Sequence, residues 1–522
     1  MKERADASAF SGIQGWHDVD WRRVEQNVRG MQLRIAKATQ EGKWRRVKAL
    51  QRMLTRSFSA KVLAVKRVTE NQGKRTSGID RVLWSTPESK WRAVWSLERR
   101  GYKPRPLRRV FIPKANGKER PLGIPTMRDR AMQALYLLAL QPVAETTGDP
   151  NSYGFRLNRS TTDAIEQCFL TFSKKGSAKW VLEADIEGCF DHIDHQWLLD
   201  NVPVDKVVLR KWLKAGVVEF GQLKATEAGT PQGGIISPTL ANMALDGLEW
   251  ELAKHFGVKA STQATKNQVY VVRYADDFVI SGRSKELLER EVRPVVEAFL
   301  RERGLRLSPT KTRVTHIDEG FDFLGWSVRR YGGKLLIKPS QKNVKAFFDK
   351  VRGLVRANRT VTQVKLIQML NPVLRGWCQY HRSQVAKDAF SRMDNQIFWL
   401  LWRWARRRHP TKGAQWVRKR YFRTVGNRQW AFAAPAPKPA EGVISLLHAN
   451  SVKIRRHTKV KAEYTPFDPR WEEYGEQLQM RRMAESIAYR KQLAALYLQQ
   501  SGKCALCALP LSESTKWHDH HI

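Results

Sequence analysis

The sequence predicts an α+β fold, and three observations support this prediction. Between residues 178 and 340, short apolar β runs such as Val269–Tyr274 alternate with helical stretches such as Thr239–Phe256 and Lys285–Arg303. The chain has 522 residues, 42% of them hydrophobic, which suits a sizeable core and excludes a mainly disordered protein. Its 93 Lys and Arg against 50 Asp and Glu give a formal net charge of +43. So large an excess is self-repulsive unless a polyanion neutralises it, and nucleic acid is therefore the expected partner.

Cysteine content and the first residues bear on where the protein works. Five cysteines in a chain of this length do not make a disulfide framework, which indicates a reducing compartment. Lys2, Glu3, Arg4 and Asp6 stand where a signal peptide would need an apolar segment. No run approaches the ~18 apolar residues of a membrane-spanning helix. We therefore expect a bacterial cytoplasmic, nucleoid-associated protein with no targeting signal and no membrane partner.

The N-terminal part is predicted to be helical and to lead into a sheet. Between residues 21 and 68, apolar residues such as Val24, Val28, Leu50 and Leu54 follow the spacing of an amphipathic helix. The opposite face is rich in Lys and Arg, which fits either a solvated face or an RNA-facing one. From residue 74 to 128, Pro and Gly punctuate short strands such as Arg109–Ile112. Residues 129–142 return to helix.

Residues 345–430 are predicted to be helical throughout and strongly basic. Residues 401–430 contain ten Lys and Arg, four Trp and no Asp or Glu. Aromatic residues among cations are compatible with plain helix packing, but an acid-free stretch favours a surface that follows phosphates. The Pro-rich stretch Ala433–Ala440 is the predicted linker, and a second basic segment, Lys453–Lys461, follows it.

Three aspartates carry the strongest indication of chemistry. Asp276 and Asp277 lie between two apolar β runs, so a hairpin would place both carboxylates at its turn. Adjacent like charges are costly unless a cation lies between them, which indicates a metal ion, the alternative being an ordinary acidic turn. Asp185 ends another β run and supplies a third carboxylate. Nucleotidyl transfer with two Mg²⁺ ions needs carboxylates placed in this way.

Two further segments fit a nucleotide site. Residues Arg108–Leu122 form a predicted hairpin with cations at its tip, which suits binding of a triphosphate. The Gly-rich segment Gly229–Pro238 precedes a helix, and its missing side chains would let the backbone approach a nucleotide base pair closely. Either segment on its own is more typical of a structural turn.

The set and order of the motifs resembles that of the group II intron-encoded proteins, which are reverse transcriptases and maturases. The matching segments are Tyr153–Arg156 with Arg159 and Ser160, the Asp185 segment, Gly229–Pro238, Tyr274–Asp277, Leu305–Thr312, Phe321–Gly325, Leu374–Trp377 with Tyr380 and His381, Arg408–Lys412 and Arg420–Phe422. The resemblance spans about residues 15 to 522. It implies a right-hand polymerase fold, with an antiparallel sheet in the fingers and palm, followed by an all-α thumb or maturase X domain.

The resemblance also implies a domain organisation and a function. The expected segments are an N-terminal helical extension (1–70), fingers and palm (71–340), the thumb (341–432), a linker with a basic DNA-binding region (433–490) and a truncated HNH endonuclease segment (491–522). The implied activity is RNA-directed DNA synthesis, with binding of intron RNA to promote splicing and target-primed reverse transcription during retrohoming. The implied partners are group II intron RNA, a DNA target and primer, and deoxynucleoside triphosphates.

Individual residues take their expected roles from the same resemblance. It makes Asp185, Asp276 and Asp277 the catalytic ligands of two Mg²⁺ ions. The expected deoxynucleotide contacts are Lys114, Arg120, Ile186, Phe190, Gln232 and Gly233. Phe190 resembles the aromatic residue that excludes a ribose 2′-hydroxyl, and Cys189 is the alternative at that position. The expected RNA contacts in the thumb are Arg406, Arg407, Arg408, Lys412, Arg418, Lys419 and Arg420.

The last residues resemble the opening of an HNH endonuclease. Cys504 and Cys507 have the spacing of a zinc knuckle, and the alternative is a pair of structural cysteines. His520 or His521 would be the general base of a complete domain. Because one Cys pair supplies only two of four zinc ligands, we expect this segment not to cut DNA.

Two other functions stay open on the sequence. Another reverse transcriptase lineage, such as a retron or a diversity-generating element, would share the palm motifs, but the maturase-like thumb disfavours it. A maturase that only binds RNA would have no need of the three aspartates, and all three are present.

Overall fold

The structure is a computed structural model that describes residues 14–113, 117, 119–258, 260–436, 442–487, 491–505 and 511. The chain divides into two compact units. The first unit holds the described residues up to Ser160, Leu182–Val314, and the described residues from Val460 on. The second unit holds Thr161–Val181 and the described residues of Thr315–Lys459. Within the described ranges, no helix has the length and apolar character needed to cross a membrane.

Helices and strands alternate along most of the chain, as the sequence predicts. The helices are α1 (Trp21–Gln40), α2 (Trp44–Arg56), α3 (Phe58–Glu70), α4 (Pro87–Ser96), α5 (Met127–Thr147), α6 (Thr161–Phe172), α7 (Cys189–His192), α8 (His195–Asn201), α9 (Lys206–Leu213), α10 (Ser237–Leu245), α11 (Leu248–Phe256), α12 (Thr262–Asn267), α13 (Arg293–Arg301), α14 (Gln341–Ala357), α15 (Gln363–His381), α16 (Lys387–Arg408), α17 (Ala414–Tyr421), α18 (Glu472–Ser486) and α19 (Lys491–Gln499). The strands are β1 (Leu107–Pro113), β2 (Glu119–Ile124), β3 (Trp180–Asp185), β4 (Val217–Glu219), β5 (Gln222–Lys224), β6 (Val271–Tyr274), β7 (Asp277–Gly282), β8 (Arg313–His316), β9 (Phe321–Phe323), β10 (Trp326–Tyr331), β11 (Lys334–Pro339), β12 (Phe422–Val425), β13 (Arg428–Pro435) and β14 (Val443–Ser445).

The predicted N-terminal helical region is confirmed as three helices, α1 to α3, which pack on α5. Each of the three helices begins or ends next to a residue that caps a helix, namely Asp20 or Ser57. The Asp20 carboxylate accepts from the backbone N–H of Arg23 at the start of α1, and Ser57 caps α3 in the same way. The predicted apolar positions are buried. Two buried amides, Gln32 and Gln51, donate to backbone carbonyls of α5 and so fix how α1 and α2 sit on it.

Two four-stranded sheets contribute strands to the first unit. One has the order β2-β1-β4-β5, and its antiparallel β1–β2 hairpin confirms the strand predicted at Arg109–Ile112. The other has the order β6-β7-β3-β8, and its antiparallel β6–β7 hairpin pairs Tyr274 with Asp277. Strand β3 enters the first unit at Leu182, and β8 leaves it at Val314.

Two predicted helices are interrupted in the structure. The stretch Thr239–Phe256 is two helices, α10 and α11, because Gly247 adopts a positive φ of 98° between them. The stretch Lys285–Arg303 contains a π-helical segment, Leu287–Val292, which continues into α13. Periodicity alone predicts neither break.

A buried ionic network lies beside the β6–β7 hairpin. Arg273, near the end of β6, is 1% exposed, and its guanidinium pairs with Asp246 at the α10–α11 junction. Burial raises the pKa of Asp246 to about 6 although Arg273 opposes the shift. Nearby, Arg156 and Glu145 form a second buried pair at 3.1 Å. These charges are retained in the interior because each has an opposite charge and hydrogen bonds.

In the second unit, α14 to α17 surround a common apolar core, and β9, β10 and β11 form an antiparallel sheet. The prediction that residues 345–430 are wholly helical is wrong beyond Tyr421, and with it the expectation of an all-α thumb. β12 and β13 form an antiparallel hairpin that pairs Phe422 with Phe432, and β14 extends it. The two-residue Gly426–Asn427 turn between aromatic and β-branched residues favours a hairpin.

The region predicted to be a linker and a DNA-binding segment, 433–490, differs in part from that prediction. Ala433 to Pro435 belong to β13, and residues 437–441 lie outside the described residues. From Val460 on, the chain packs in the first unit. There the Tyr464 hydroxyl accepts from Asn158 at 2.9 Å, and Arg159 donates to the Ala462 carbonyl at 2.9 Å. Pro-rich composition marks a break in helix, but it does not by itself separate a linker from an edge strand.

We predict that replacing Arg273 by Met destabilises the protein by about 3–5 kcal/mol, because Asp246 would stay buried without its cation. Urea unfolding followed by circular dichroism measures this loss. Arg293→Met is the matched control, since Arg293 and Glu297 form an ion pair on an exposed helix face, with side chains 41% and 38% exposed. That control should cost about 0.3–0.5 kcal/mol. Equal losses in the two variants would contradict a structural role for the buried pair.

Candidate active site

The three predicted aspartates meet at one edge of the β6-β7-β3-β8 sheet. Asp185 is the last residue of β3, and Asp277 is the first residue of the neighbouring strand β7. Asp276 lies in the turn between β6 and β7, just after Ala275, which has a positive φ of 58°. The three acids lie close enough for Asp185 and Asp276 both to raise the pKa of Asp277. The predicted hairpin with carboxylates at its turn is therefore confirmed.

The electrostatics of this turn reflect three acids in a small volume. Partial burial, with the carboxylates of Asp276 and Asp185, raises the pKa of Asp277 to about 7. Burial also raises the pKa of Asp276, and Asp185 adds to this effect. Arg120 and Lys311 act in the opposite direction on Asp276. The turn therefore attracts positive charge beyond what these two side chains supply.

Lys311 is a functional candidate that the sequence interpretation did not single out. Its Nζ lies 2.7 Å from Oδ2 of Asp185, and this hydrogen bond is the main reason that the pKa of Lys311 is raised. The segment before it runs along the end of β3, where Ser308 N–H donates to the Asp185 carbonyl at 2.8 Å and Leu307 bridges Ile186. The available signal was Lys311 near the end of the matched segment Leu305–Thr312, which also contains Arg306.

Carboxylate oxygens at this turn fit Mg²⁺, although they are not arranged as a ready-made chelate. Within the described residues, no group of three or more His, Cys, Asp or Glu side chains is placed to hold a metal ion as the chain stands. Asp185 is instead engaged by Lys311. The donor set is nevertheless all oxygen, which Mg²⁺ prefers, and the raised pKa of Asp277 shows the demand for cationic charge. A metal would have to compete with Lys311 for Asp185.

The backbone of the carboxylate turn is held from one side by Gly154. A Cβ at Gly154 would lie 2.4 Å from the Ala275 nitrogen and 2.9 Å from the Tyr274 carbonyl carbon. The Gly154 carbonyl accepts from the buried amide of Asn242 at 2.7 Å. Tyr153 N–H donates to the Arg273 carbonyl at 2.9 Å. Only glycine allows this close approach, so the segment 153–154 fixes the position of the turn.

Several of the predicted nucleotide-binding residues come together beside the aspartates. Gly123 N–H donates to the Gln232 carbonyl at 2.7 Å, and Gly233 approaches Gly123 closely with a φ of 115°. The Thr230 N–H donates to the carbonyl of Phe190 at 2.7 Å. The Gly-rich loop is therefore tied both to the β1–β2 hairpin and to α7. Arg120 lies on β2, and its charge lowers the pKa of Asp276.

The other three predicted nucleotide contacts are Ile186, Phe190 and Lys114. Ile186 is 2% exposed, so its side chain belongs to the core; strand alternation turns it away from the side that carries Asp185. Cys189 is also buried, and burial raises the pKa of its thiol to about 12. Phe190 is half-buried and is the residue of this pair with an accessible ring. Lys114 lies outside the described residues.

Comparison with protein families identifies three consecutive regions. Residues 16–97 match the N-terminal domain of reverse transcriptase, 112–328 match reverse transcriptase (RNA-dependent DNA polymerase), and 344–422 match the group II intron maturase-specific domain. The chain belongs to the group II intron-encoded reverse transcriptases. It is an RNA-directed DNA polymerase with a maturase domain, as the motif order predicts.

Individual relatives agree with this assignment. Protein YkfC of Escherichia coli is 37% identical over 257 residues, which cover 43% of this chain and 67% of that protein. The group II intron-encoded protein LtrA of Lactococcus lactis is 28% identical over 409 residues, covering 61% of this chain and 68% of LtrA. A putative COX1/OXI3 intron 2 protein of Saccharomyces cerevisiae is 27% identical over 283 residues, covering 44% of this chain and 32% of that protein. A telomerase structure from Candida albicans aligns over 60% of this chain and 64% of its own, at 11% identity and a TM-score of 0.34, which is too low to support an argument.

The maturase domain of this reverse transcriptase carries the predicted basic surface. Arg406, Arg407, Lys412, Arg418, Lys419 and Arg420 are exposed. Arg408 is different, since its guanidinium donates to the carbonyls of Arg359 and Val361 and lies 4.6 Å from the Trp404 ring centroid. It therefore serves the domain's own packing. Arg418 lies 4.5 Å from the ring centroid of Trp430, so it is oriented by an aromatic residue while it stays exposed.

The nuclease-like end of this reverse transcriptase is described only in part. Cys504 is half-buried, whereas Cys507, His520 and His521 lie outside the described residues. The zinc site and the general base therefore stay predictions from the sequence.

We predict that Gly154→Ala reduces primer extension by at least about 10-fold, because the new Cβ meets backbone atoms of the carboxylate turn that must shift. Gly30→Ala is the matched control, since nothing lies within 4 Å of a Cβ at that helical position. The control should keep the wild-type rate and gain about 0.5–1 kcal/mol of stability. Steady-state extension and thermal unfolding separate the two variants, and wild-type extension by Gly154→Ala would refute the close contact.

Proposed function

We propose that this chain extends a primer along an RNA template with Asp185, Asp276 and Asp277 as the ligands of two Mg²⁺ ions. One observation carries the proposal: Asp185 at the end of β3, Asp277 at the start of the neighbouring strand β7 and Asp276 in the turn before it meet at one end of the sheet. Bound Mg²⁺ would lower the pKa of the primer 3′-hydroxyl and neutralise charge on the leaving pyrophosphate. In this proposal Lys311 leaves Asp185 as the ions bind.

The other residues of the site would bind and orient the nucleotide. Arg120 would contact the triphosphate, and Lys114 is expected to do the same from the tip of the hairpin. Gln232 and Gly233, tied to Gly123, would form the surface under the new base pair. Phe190 would lie against the sugar and exclude a 2′-hydroxyl. These roles come from the family resemblance and agree with the proximity of the Gly-rich loop to α7.

We also propose that group II intron RNA binds the exposed cations of the maturase domain, and that the polymerase uses a DNA target and primer during retrohoming. The support is the acid-free composition of residues 401–430 and the exposure of six of the seven cations predicted there. In this proposal residues 71–340 act as fingers and palm, and the maturase domain acts as the thumb.

Asp276→Asn should reduce primer extension on an RNA template by at least about 10²–10³-fold, because a charge that holds the metal is lost. In the wild type, Mg²⁺ at about 100 times its dissociation constant should stabilise the fold by about 2.7 kcal/mol, and the variant should lose most of this gain. Salt-dependent RNA binding should stay at the wild-type level. Extension and thermal unfolding with and without Mg²⁺ measure both effects.

Asp200→Asn serves as the control for removal of one acid, since Asp200 is exposed and its carboxylate contacts surface side chains, Gln196 at 2.7 Å and Lys206 at 3.6 Å. It should leave extension and the Mg²⁺ effect unchanged. Full-rate extension by folded Asp276→Asn would sink the assignment. A wild-type protein that binds intron RNA but never extends a primer would instead favour the RNA-binding maturase alone.

Neutralising Arg406, Arg407 and Lys419 to Ala should reduce the slope of log affinity for intron RNA against log salt by about 2–3, because each lost phosphate contact removes roughly 0.7–0.9. Filter binding across a salt series measures the slope. The triple variant Lys285→Ala, Arg290→Ala and Arg293→Ala removes equal charge from another exposed surface. If both triple variants flatten the slope equally, only net charge matters and the proposed surface is wrong.

A further inference from the structure

Phe155 combines two features that general packing does not explain. Its side chain is 54% exposed, and its backbone has a positive φ of 58°. A large residue other than glycine rarely adopts this left-handed conformation. When such an outlier is held in place by its surroundings, it is a reason to look for a function.

The residues on both sides of Phe155 are firmly bonded. Before it, the Gly154 carbonyl accepts from Asn242, and Gly154 lies against the backbone of Ala275. After it, Arg156 is buried and donates to the Asp149 carbonyl at 2.6 Å and to Glu145 at 3.1 Å. The ring of Phe155 is therefore projected outward by a backbone that is fixed at both ends, next to the turn that carries Asp276.

The exposed ring meets one other aromatic side chain among the described residues. Phe155 and Phe190 pack edge to face, with ring centroids 6.2 Å apart and an interplanar angle of 81°. The backbone of Phe190 is itself held, because its carbonyl accepts from Thr230 N–H at 2.7 Å. With the backbone held, the remaining freedom of Phe190 is rotation of its side chain. The edge-to-face contact with the Phe155 ring restricts that rotation.

We propose that Phe155 is a specificity-determining positioning residue that holds the Phe190 ring against the nucleotide sugar. Rejecting a ribonucleotide means rejecting a substrate that carries one extra hydroxyl group. A purely apolar pocket discriminates poorly against an added hydroxyl group. The 2′-hydroxyl must therefore clash with a side chain that is held in place. Phe155 supplies that support from outside the sugar pocket. The inference rests on the proposed role of Phe190 as the sugar contact.

The test compares kcat/KM for dGTP and GTP on one RNA template with a DNA primer. Phe190→Ala, Phe155→Leu, Phe155→Gly and Phe155→Tyr are measured beside the wild type. Phe155→Leu and Phe155→Gly should each lower the dGTP/GTP ratio by about 10-fold, chiefly by raising kcat/KM for GTP. Phe155→Tyr keeps the ring and should keep the ratio. Because glycine is relaxed at this φ, Phe155→Gly should unfold at the wild-type temperature or above it, which separates loss of the ring from loss of stability.

Phe220 provides a matched control. It is also an exposed phenylalanine with a positive φ, 49°, but it stacks on Phe111 in the β1–β4 region. Phe220→Leu should leave the ratio unchanged. If Phe190→Ala loses discrimination and the Phe155 variants do not, this inference is wrong and the proposed role of Phe190 stands. If Phe190→Ala keeps discrimination, both fail. An equal fall in both kcat/KM values in the Phe155 variants would show a structural role only and would overturn the inference.

Discussion

The position of the carboxylate turn depends on Arg273. Its guanidinium pairs with Asp246 and donates to Asn242 at 3.3 Å, and its backbone N–H and carbonyl bond to Asn151 and Tyr153. One residue thus joins the α10–α11 junction and the segment before Phe155 to the strand that ends in the carboxylate turn. A buried ion pair seldom adds stability beyond that of a well-packed apolar pair. Its value here is geometric, because the guanidinium bonds hold the α10–α11 junction, and the backbone bonds hold residues 151–153, against the end of β6.

The parts of the fold that depend on local pattern could be predicted from the sequence. The β6–β7 hairpin follows from two apolar runs around an acidic turn, and the amphipathic α1 to α3 follow from the spacing of their apolar residues. The contact of Asp185 with the hairpin joins residues that are far apart in the sequence, and hydrophobic periodicity does not predict the order of strands in a sheet. The family resemblance supplied that contact, since motif order specifies a known sheet.

What the sequence left unpredicted depends on distant contacts. Lys311 is one cation among 93, and it matters because the segment 305–311 pairs with the end of β3. The β12–β13 hairpin continues directly from α17, and its Arg and aromatic residues match the composition of the helix before it, so composition does not mark where that helix ends. The segment from Val460 on begins with mixed charges and prolines, as a linker could, yet Tyr464 and Ala462 bond to residues 158 and 159. The composition of such a segment does not predict its structure, because that structure depends on the surface against which the segment packs.

The turn itself carries two costs, which are a left-handed backbone at Ala275 and the repulsion among three carboxylates. A flexible turn would relieve the repulsion by moving Asp276 and Asp277 apart, and the pKa of Asp277 would then fall towards its ordinary value. Gly154 and Arg273 block this relaxation, because the turn has backbone contacts on one side and a buried anchor on the other. The demand for positive charge therefore persists in the folded protein. Lys311 meets part of it through its ion pair with Asp185. Because a surface ion pair of this kind contributes little free energy, it leaves the turn able to accept the metal binding that we propose.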